Sequence, residues 1–224
     1  MGEVVLLTLK VGIVSTVAML PVAFALAWLL ARGRVPGRLL IDGIVHLPLV
    51  VPPVVTGWVL LMLFAPAGPL GRVLHDWFGV GVLFRWTGAA IAAGVMGLPL
   101  SVRAIRLSLD AADVRLEEAA RTLGAGRWRV FRTITLPLAM PGVLAGAVLG
   151  FARGIGEFGA TITFVSSVPG ETETLPLAIY AALQRPGGEA AAWRLAAVSV
   201  ALSLAALLAS ELLARRMGRD RHVL

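Results

Sequence analysis

The sequence predicts an all-α polytopic membrane protein with five transmembrane helices. Three observations carry this: an apolar composition, long uncharged tracts of membrane-spanning length, and arginines gathered in alternate connections between those tracts. Of 224 residues, 58% are hydrophobic and 15% charged, and the mean hydropathy is +0.87. A soluble domain carries roughly a quarter charged residues. The absence of cysteine excludes a disulfide framework, a cysteine nucleophile and thiolate metal sites. The net charge of +7 is compatible with nucleic-acid binding, but the arginines stand where membrane topology needs them.

The first uncharged run covers residues 11–31 and reaches back to Val4 if Lys10 lies near the membrane surface. The second runs over 43–71, and the third from Thr87 to the residue before Arg103. The fourth covers 133–152 and continues over 158–170 beyond Arg153 and Glu157; the last covers 195–210. A helix needs about 20 residues to cross the hydrocarbon. The stems of Arg103, Arg106 and Arg215 lengthen the shorter runs by snorkelling. The expected spans are therefore about 4–31, 43–66, 87–109, 137–167 and 194–215, in a single membrane domain. Glu3 in place of a basic leader, and the length of the first run, argue against a cleavable signal peptide. Residues 175–183 are apolar but short and carry Pro176, with Pro186 just beyond. They read as a helix at or dipping into the interface, not a sixth span.

Arg32, Arg34 and Arg38 follow the first span. Arg103, Arg106, Arg115, Arg121, Arg127, Arg129 and Arg132 surround the third connection, and Arg215, Arg216, Arg219 and Arg221 end the chain. The other two connections hold only Arg72 and Arg85, then Arg185 and Arg194. The positive-inside rule places the N-terminus outside and the C-terminus in the cytoplasm.

The third connection, about 110–135, reads as two short amphipathic helices at a glycine elbow. Leu116, Ala119, Ala120 and Leu123 fall on one face. Asp113 caps the start, and Glu117 and Glu118 stand where the helix dipole favours acids. Gly124 and Gly126 break the first helix. The second carries Trp128, Phe131 and Ile134 on one side and Arg127, Arg129 and Arg132 among its polar positions; Pro137 ends it and Pro141 opens the next span. Such a pair either rests on lipid headgroups or docks into another protein. The leading acids favour the second, because anionic headgroups repel them.

Glu118-Ala119-Ala120, three residues, Gly124, nine residues, then Ile134-Thr135-Leu136-Pro137 resembles the EAA loop of ABC importer permeases. The run from His46 to Val55, HLPLVVPPVV, resembles the molybdate branch of that family, as do residues 102–109, 119–135 and 156–161. The resemblance implies a MetI-like permease fold whose coupling helices, with Leu116, Glu118, Ala119, Ala120, Leu123, Gly124 and Arg127, enter a groove of a cytoplasmic ATPase subunit. It implies further a second copy of the chain, two ATPase subunits that hold ATP and Mg²⁺, and an extracytoplasmic oxyanion-binding protein. The location implied is the bacterial inner membrane, and the substrate molybdate, with tungstate beside it. A phosphate-binding G-x-x-x-x-G-K-[ST] loop is absent from the sequence, so this chain carries no ATP-hydrolysing chemistry of its own. Sulfate or another oxyanion is the nearest alternative. A channel without an ATPase is more distant, since it has no use for such a loop. A membrane enzyme lacks a convergent catalytic set within the spans.

Arg153 and Glu157, four apart, share a helix face. They form a structural ion pair, or line a gate, roughly 18 Å along the helix from Pro141. The cluster Pro48, Pro52, Pro53 must interrupt helical bonding, and bare backbone at membrane depth is tolerated only against protein or a cavity. Pro52, Pro53, Thr56, Arg153, Glu157, Phe158 and Thr161 are thus the candidates for a gate or pathway lining. For Thr56, Thr161 and Thr163, back-bonding to their own helices is the plainer reading. His46 reads as a hydrogen-bonded residue rather than a metal ligand. Because the chain has no cysteine of its own, single cysteines test the topology directly. An impermeant reagent should label Asp76→Cys from outside and leave Gly126→Cys untouched; external labelling at 126 reverses the assignment.

Overall fold

The computed structural model describes residues 1–33 and 36–219, without the side chains of 209–219. Arg34 and Arg221, used in the charge count above, lie outside the described residues. The described residues are helical, with no strand among them: α1 (Gly2–Arg32), α2 (Arg38–Val50), α3 (Pro53–Phe64), α4 (Pro69–Phe78), α5 (Trp86–Ala111), α6 (Val114–Thr122), α7 (Arg127–Val130), a π-helical turn (Phe131–Thr135), α8 (Leu136–Ile155), α9 (Gly159–Val165), α10 (Leu175–Leu183) and α11 (Glu189–Arg219). Among the described residues, α1, α5, the continuous stretch Arg127–Ile155 and α11 are long and apolar enough to cross a membrane. The pair α2–α3, bent by 116°, makes a fifth crossing if counted as one span.

Local chemistry explains where this differs from the expected spans. The second is not one helix: Val51 and Pro52 adopt extended ψ values of 138° and 135°. Prolines 52 and 53 lack amide hydrogens, and each proline disfavours the helical conformation in the residue before it. The run also ends earlier than its lack of charge suggests. Gly68 and Pro69 open a separate helix, α4, which Gly79 closes at φ 63°. Pro137 does not end the second helix of the elbow. The chain continues from α7 into α8 through the π turn, where Leu136 N–H reaches back five residues to the Phe131 carbonyl. A π turn shifts the bonding ladder, and here it does so just before a residue that cannot donate to it. The expected span 137–167 is likewise divided, with α8 ending at Ile155 and α9 starting at Gly159. Helix α10 has the expected bounds, is not among the membrane-length helices, and packs one side into the bundle. Leu175, Leu177, Ala178 and Ala182 are buried, with Val4 and Val5 of α1 and Leu195 of α11 in the same cluster.

The bundle is assembled on α5 and α8. Gly142, Gly146, Gly150 and Gly154 recur every fourth residue and bring α8 backbone to backbone against α5. A Cβ at Gly142 would lie 2.7 Å from the Ala104 carbonyl oxygen, and one at Gly146 3.0 Å from that of Ser101. The Ser101 hydroxyl donates to the Gly146 carbonyl at 2.7 Å. Small residues allow this approach where lipid supplies no hydrophobic drive between helices. One apolar cluster around Met19, Ala27, Ile105 and Leu109 fills the end nearer α6, and another around Val11, Ala92, Met96 and Phe164 fills the other end.

Gly146→Leu should force α5 and α8 apart and lose about 1–3 kcal/mol by overpacking. Gly43→Leu, where nothing lies within 4 Å of an added Cβ, should cost little. Melting of the detergent-solubilised chain checks this; equal melting of the two variants refutes the seam.

Candidate functional site

Two places concentrate the residues singled out in the sequence: the elbow at α6–α7, and the pair of helix breaks at α2–α3 and α8–α9.

The elbow is built by capping. Asp113 accepts from the Arg115 amide at 2.9 Å and starts α6. At the other end Ala125 N–H bonds the Ala120 carbonyl and Gly124 N–H that of Arg121. With Gly124 at φ 85°, this is a Schellman-type stop. That φ is one that side chains resist, so the turn needs glycine at 124. Gly126 is at φ −66° and carries no such requirement. The expected docking face is uncovered in the single chain: Leu123 is 87% exposed and Trp128 68%, Leu116 and Val114 are exposed as well, and Glu118, Ala119 and Arg127 stand in solvent with Ala120 half-buried.

What ties this face to the bundle was not foreseen in the sequence. Glu117, read above only as a dipole-favoured acid, is 6% exposed. Its carboxylate accepts from the Thr135 hydroxyl of the π turn at 3.0 Å and from Arg121 at 3.4 Å, with Arg32 of α1 at 3.9 Å. Arg32 also donates to the Ala112 carbonyl at 3.3 Å. An aromatic chain runs alongside. Trp128 stacks on Phe131 with centroids 5.5 Å apart, and Phe131 meets Phe24 of α1 edge-on at 5.8 Å. The one local signal for Glu117 was its i, i+4 spacing to Arg121; Thr135 and Arg32 are too distant in sequence for any spacing rule.

The two helix breaks lie against each other. A Cβ at Gly159 would lie 2.8 Å from Pro53 Cβ, and one at Gly57 2.5 Å from the Ala160 carbonyl oxygen. The structure thus joins Pro53, at the start of α3, to the Glu157–Phe158 break, while Pro52 and Pro53 themselves stay exposed in the single chain. Glu157 is 2% exposed. It ion-pairs with Arg153 and accepts from the Ala160 amide at 2.8 Å, so it bridges the end of α8 and the first turn of α9. Phe158 contacts the ring of Tyr180 in α10, with centroids 5.1 Å apart; Tyr180 was not among the candidates. Thr163 bonds back to the Gly159 carbonyl at 2.9 Å. Thr161 is buried, and Thr56 partly so. His46 Nδ1 lies 2.9 Å from the Asp42 carbonyl oxygen, beside an Asp42–Arg106 ion pair of 3.0 Å that ties α2 to α5. Among the described residues there is no group of three or more His, Cys, Asp or Glu able to hold a metal ion.

Membrane-length helices, a bent helix pair and an exposed elbow tied to the bundle define, among the described residues, a polytopic membrane protein. The chain belongs to the binding-protein-dependent transport system inner membrane components, whose family model matches residues 19–219. It is 56% identical, over 98% of its length and 95% of the relative, to the molybdenum transport system permease protein ModB of Escherichia coli strain K12. Against the sulfate transport system permease protein CysT of Salmonella typhimurium strain LT2 it is 38% identical, over 87% of this chain and 69% of that one. Its fold matches a bacterial ABC transporter involved in the import of the acidic polysaccharide alginate, with TM-score 0.73 at 18% identity over 96% of this chain and 78% of that one.

The ion pair has an asymmetry that can be measured. The Arg153 side chain is 28% exposed and that of Glu157 2%. Arg153→Ala leaves a buried carboxylate unpaired, a loss of roughly 3–5 kcal/mol. Glu157→Gln keeps an acceptor for the Ala160 amide and leaves a cation that can reach solvent, so it should cost less. The double variant should recover part of the Arg153→Ala loss. A double variant less stable than Arg153→Ala would show that the pair does not hold the break.

Proposed function

We propose that this chain is the membrane subunit of an ATP-driven importer that carries molybdate, with tungstate as a second substrate. The observation that carries the reading is the identity of 56% over nearly the whole chain to a molybdenum permease, against 38% to a sulfate permease. In this reading two copies form a two-fold dimer, the N-terminus faces outward and α6 inward. A solute-binding protein delivers the oxyanion from outside. ATP and Mg²⁺ act on two separate ATPase subunits.

The residues supply a mechanical path for that coupling. An ATPase groove takes the face of Leu116, Glu118, Ala119, Ala120 and Leu123. Ala119 and Ala120 are small enough for a close fit, and Gly124 lets the chain leave the groove. Arg127 stands beyond the elbow, free to meet an acidic rim. Movement of the elbow passes to α1 through Arg32 and the Trp128–Phe131–Phe24 contacts, and to α8 through Glu117 and Thr135. The continuous helix Arg127–Ile155 has 29 residues and carries the movement roughly 40 Å to the Arg153–Glu157 break and its packing on Pro53. In this reading Pro52, Pro53, Thr56, Phe158 and Thr161 belong to the pathway that opens, and Arg153 and Glu157 keep the break in register.

Ala120→Trp should clash in the groove, at about 1–3 kcal/mol, and Gly124→Val should strain the elbow. Both variants should insert normally. They should co-purify poorly with the ATPase, or fail to pass molybdate-stimulated hydrolysis into transport in liposomes. Wild-type binding and coupling by both would remove the elbow from the mechanism. Stimulation by sulfate but not by molybdate would transfer the substrate assignment.

A further inference from the structure

At the end of the bundle away from α6, the groove between α1 and α5 holds two cavities that share Trp86 and Thr87. The deeper one, about 350 Å³, lies between Val14, Ala18 and Val22 of α1 and Ile91 and Val95 of α5. The outer one, about 650 Å³, is bounded by Lys10, Arg85, Thr87 and Glu171. Lys10 Nζ sits 3.7 Å from the centroid of the Trp86 ring, and among the described residues neither Lys10 nor Arg85 has a carboxylate within ion-pair distance. The Thr87 hydroxyl is buried without a hydrogen-bond partner, an arrangement that costs free energy unless a ligand supplies one. Phe84, at φ 57° and 56% exposed, lines the outer cavity. Strain of this kind on a residue other than glycine gathers at ligand sites.

We propose that this composite groove is a binding site for a single glycerophospholipid. Its phosphate lies between Lys10 and Arg85, with the Thr87 hydroxyl donating to it, and one acyl chain fills the apolar cavity below. Glu171 gives the opposite pole that the ammonium of an ethanolamine headgroup needs. The continuity of a cationic cavity with an apolar one through shared residues selects a lipid over a free oxyanion, which has no use for the lower half. Such a lipid would tie the first half of α1 to the first turns of α5 at a seam where both helices present small residues, Ala18 and Gly94 among them.

Native mass spectrometry of the full chain released from detergent tests this, with ethanolamine and glycerol phospholipids supplied. One phospholipid per chain should survive gentle activation. The double variant Lys10→Ala/Arg85→Ala should lower its occupancy about tenfold or more, as the loss of charge-assisted contacts requires. Ala18→Phe, at an exposed position where an added ring fills the apolar cavity without crowding the core, should do the same while the chain melts as wild type. Absence of a retained phospholipid in wild type overturns the proposal, as does equal retention in wild type and Ala18→Phe. Efficient disulfide cross-linking of Ala18→Cys between two copies in the membrane also overturns it, because the groove then belongs to a second chain.

Discussion

Backbone-to-backbone packing of α8 on α5 is the constraint on which the other contacts depend. In a bilayer helices gain nothing by hiding apolar side chains from lipid, so association comes from close fit and from polar groups that meet. The glycines at 142, 146, 150 and 154 put no α8 side chain into the seam, where α5 places the small side chains of Ala93, Ser101 and Ser108, and the Ser101 hydroxyl bonds the Gly146 carbonyl. Helix α1 then lies against both members, with Met19 beside Gly150 and Ser101, and α9 packs by Ala160, Phe164 and Val165 onto the first half of α5. A side chain inserted in this seam would therefore displace the elbow and the helix breaks together.

The candidate site divides into a rigid and an open part. Around Glu117 the acceptor has donors on α6 and the π turn and a cation on α1, so the elbow is held as one body with the ends of α1 and α8. The outer face of α6 remains uncovered. That face mixes Val114, Leu116 and Leu123 with Arg115, Glu118 and Arg121, and the contacts behind it make α6 move with the ends of α1 and α8. At the breaks the polar groups serve packing. Glu157 satisfies the first turn of α9 and its own charge partner at once.

Much of this was legible in the residues. Uncharged runs mark helices because charge at membrane depth is costly, and the α10 boundaries follow from its flanking prolines and length. The Asp113 cap and the left-handed Gly124 follow from rules that act within one turn. Helix α4 was missed although Leu70, Val73 and Trp77 repeat at helical spacing, because the uncharged run extending to Gly71 hid the Gly-Pro start. The passage through Pro137 was misread because a proline normally stops a helix, whereas here the π turn before it shifts the bonding ladder and the helix runs on. Burial of Glu117 and the pairing of Lys10 with Trp86 join residues 18 to 85 positions apart, beyond any local pattern. The second requires α1 and α5 to be neighbours, which no spacing in the chain reveals.

The π turn at Phe131–Thr135 has a consequence for how insertions and deletions would be tolerated here. A π turn holds one residue more than the α turn it replaces, and one residue of helix corresponds to about 100° of azimuth. Because the extra residue is taken up inside the turn, removing one residue here would restore a regular helix and leave α7 and the elbow close to their present bearing on α8. The same deletion in the regular part of α8 would rotate the elbow about 100° around the axis and carry Phe131 away from Phe24 of α1. The segment is thus a place where the loss of one residue is forgiven, while the helix that follows it forgives none.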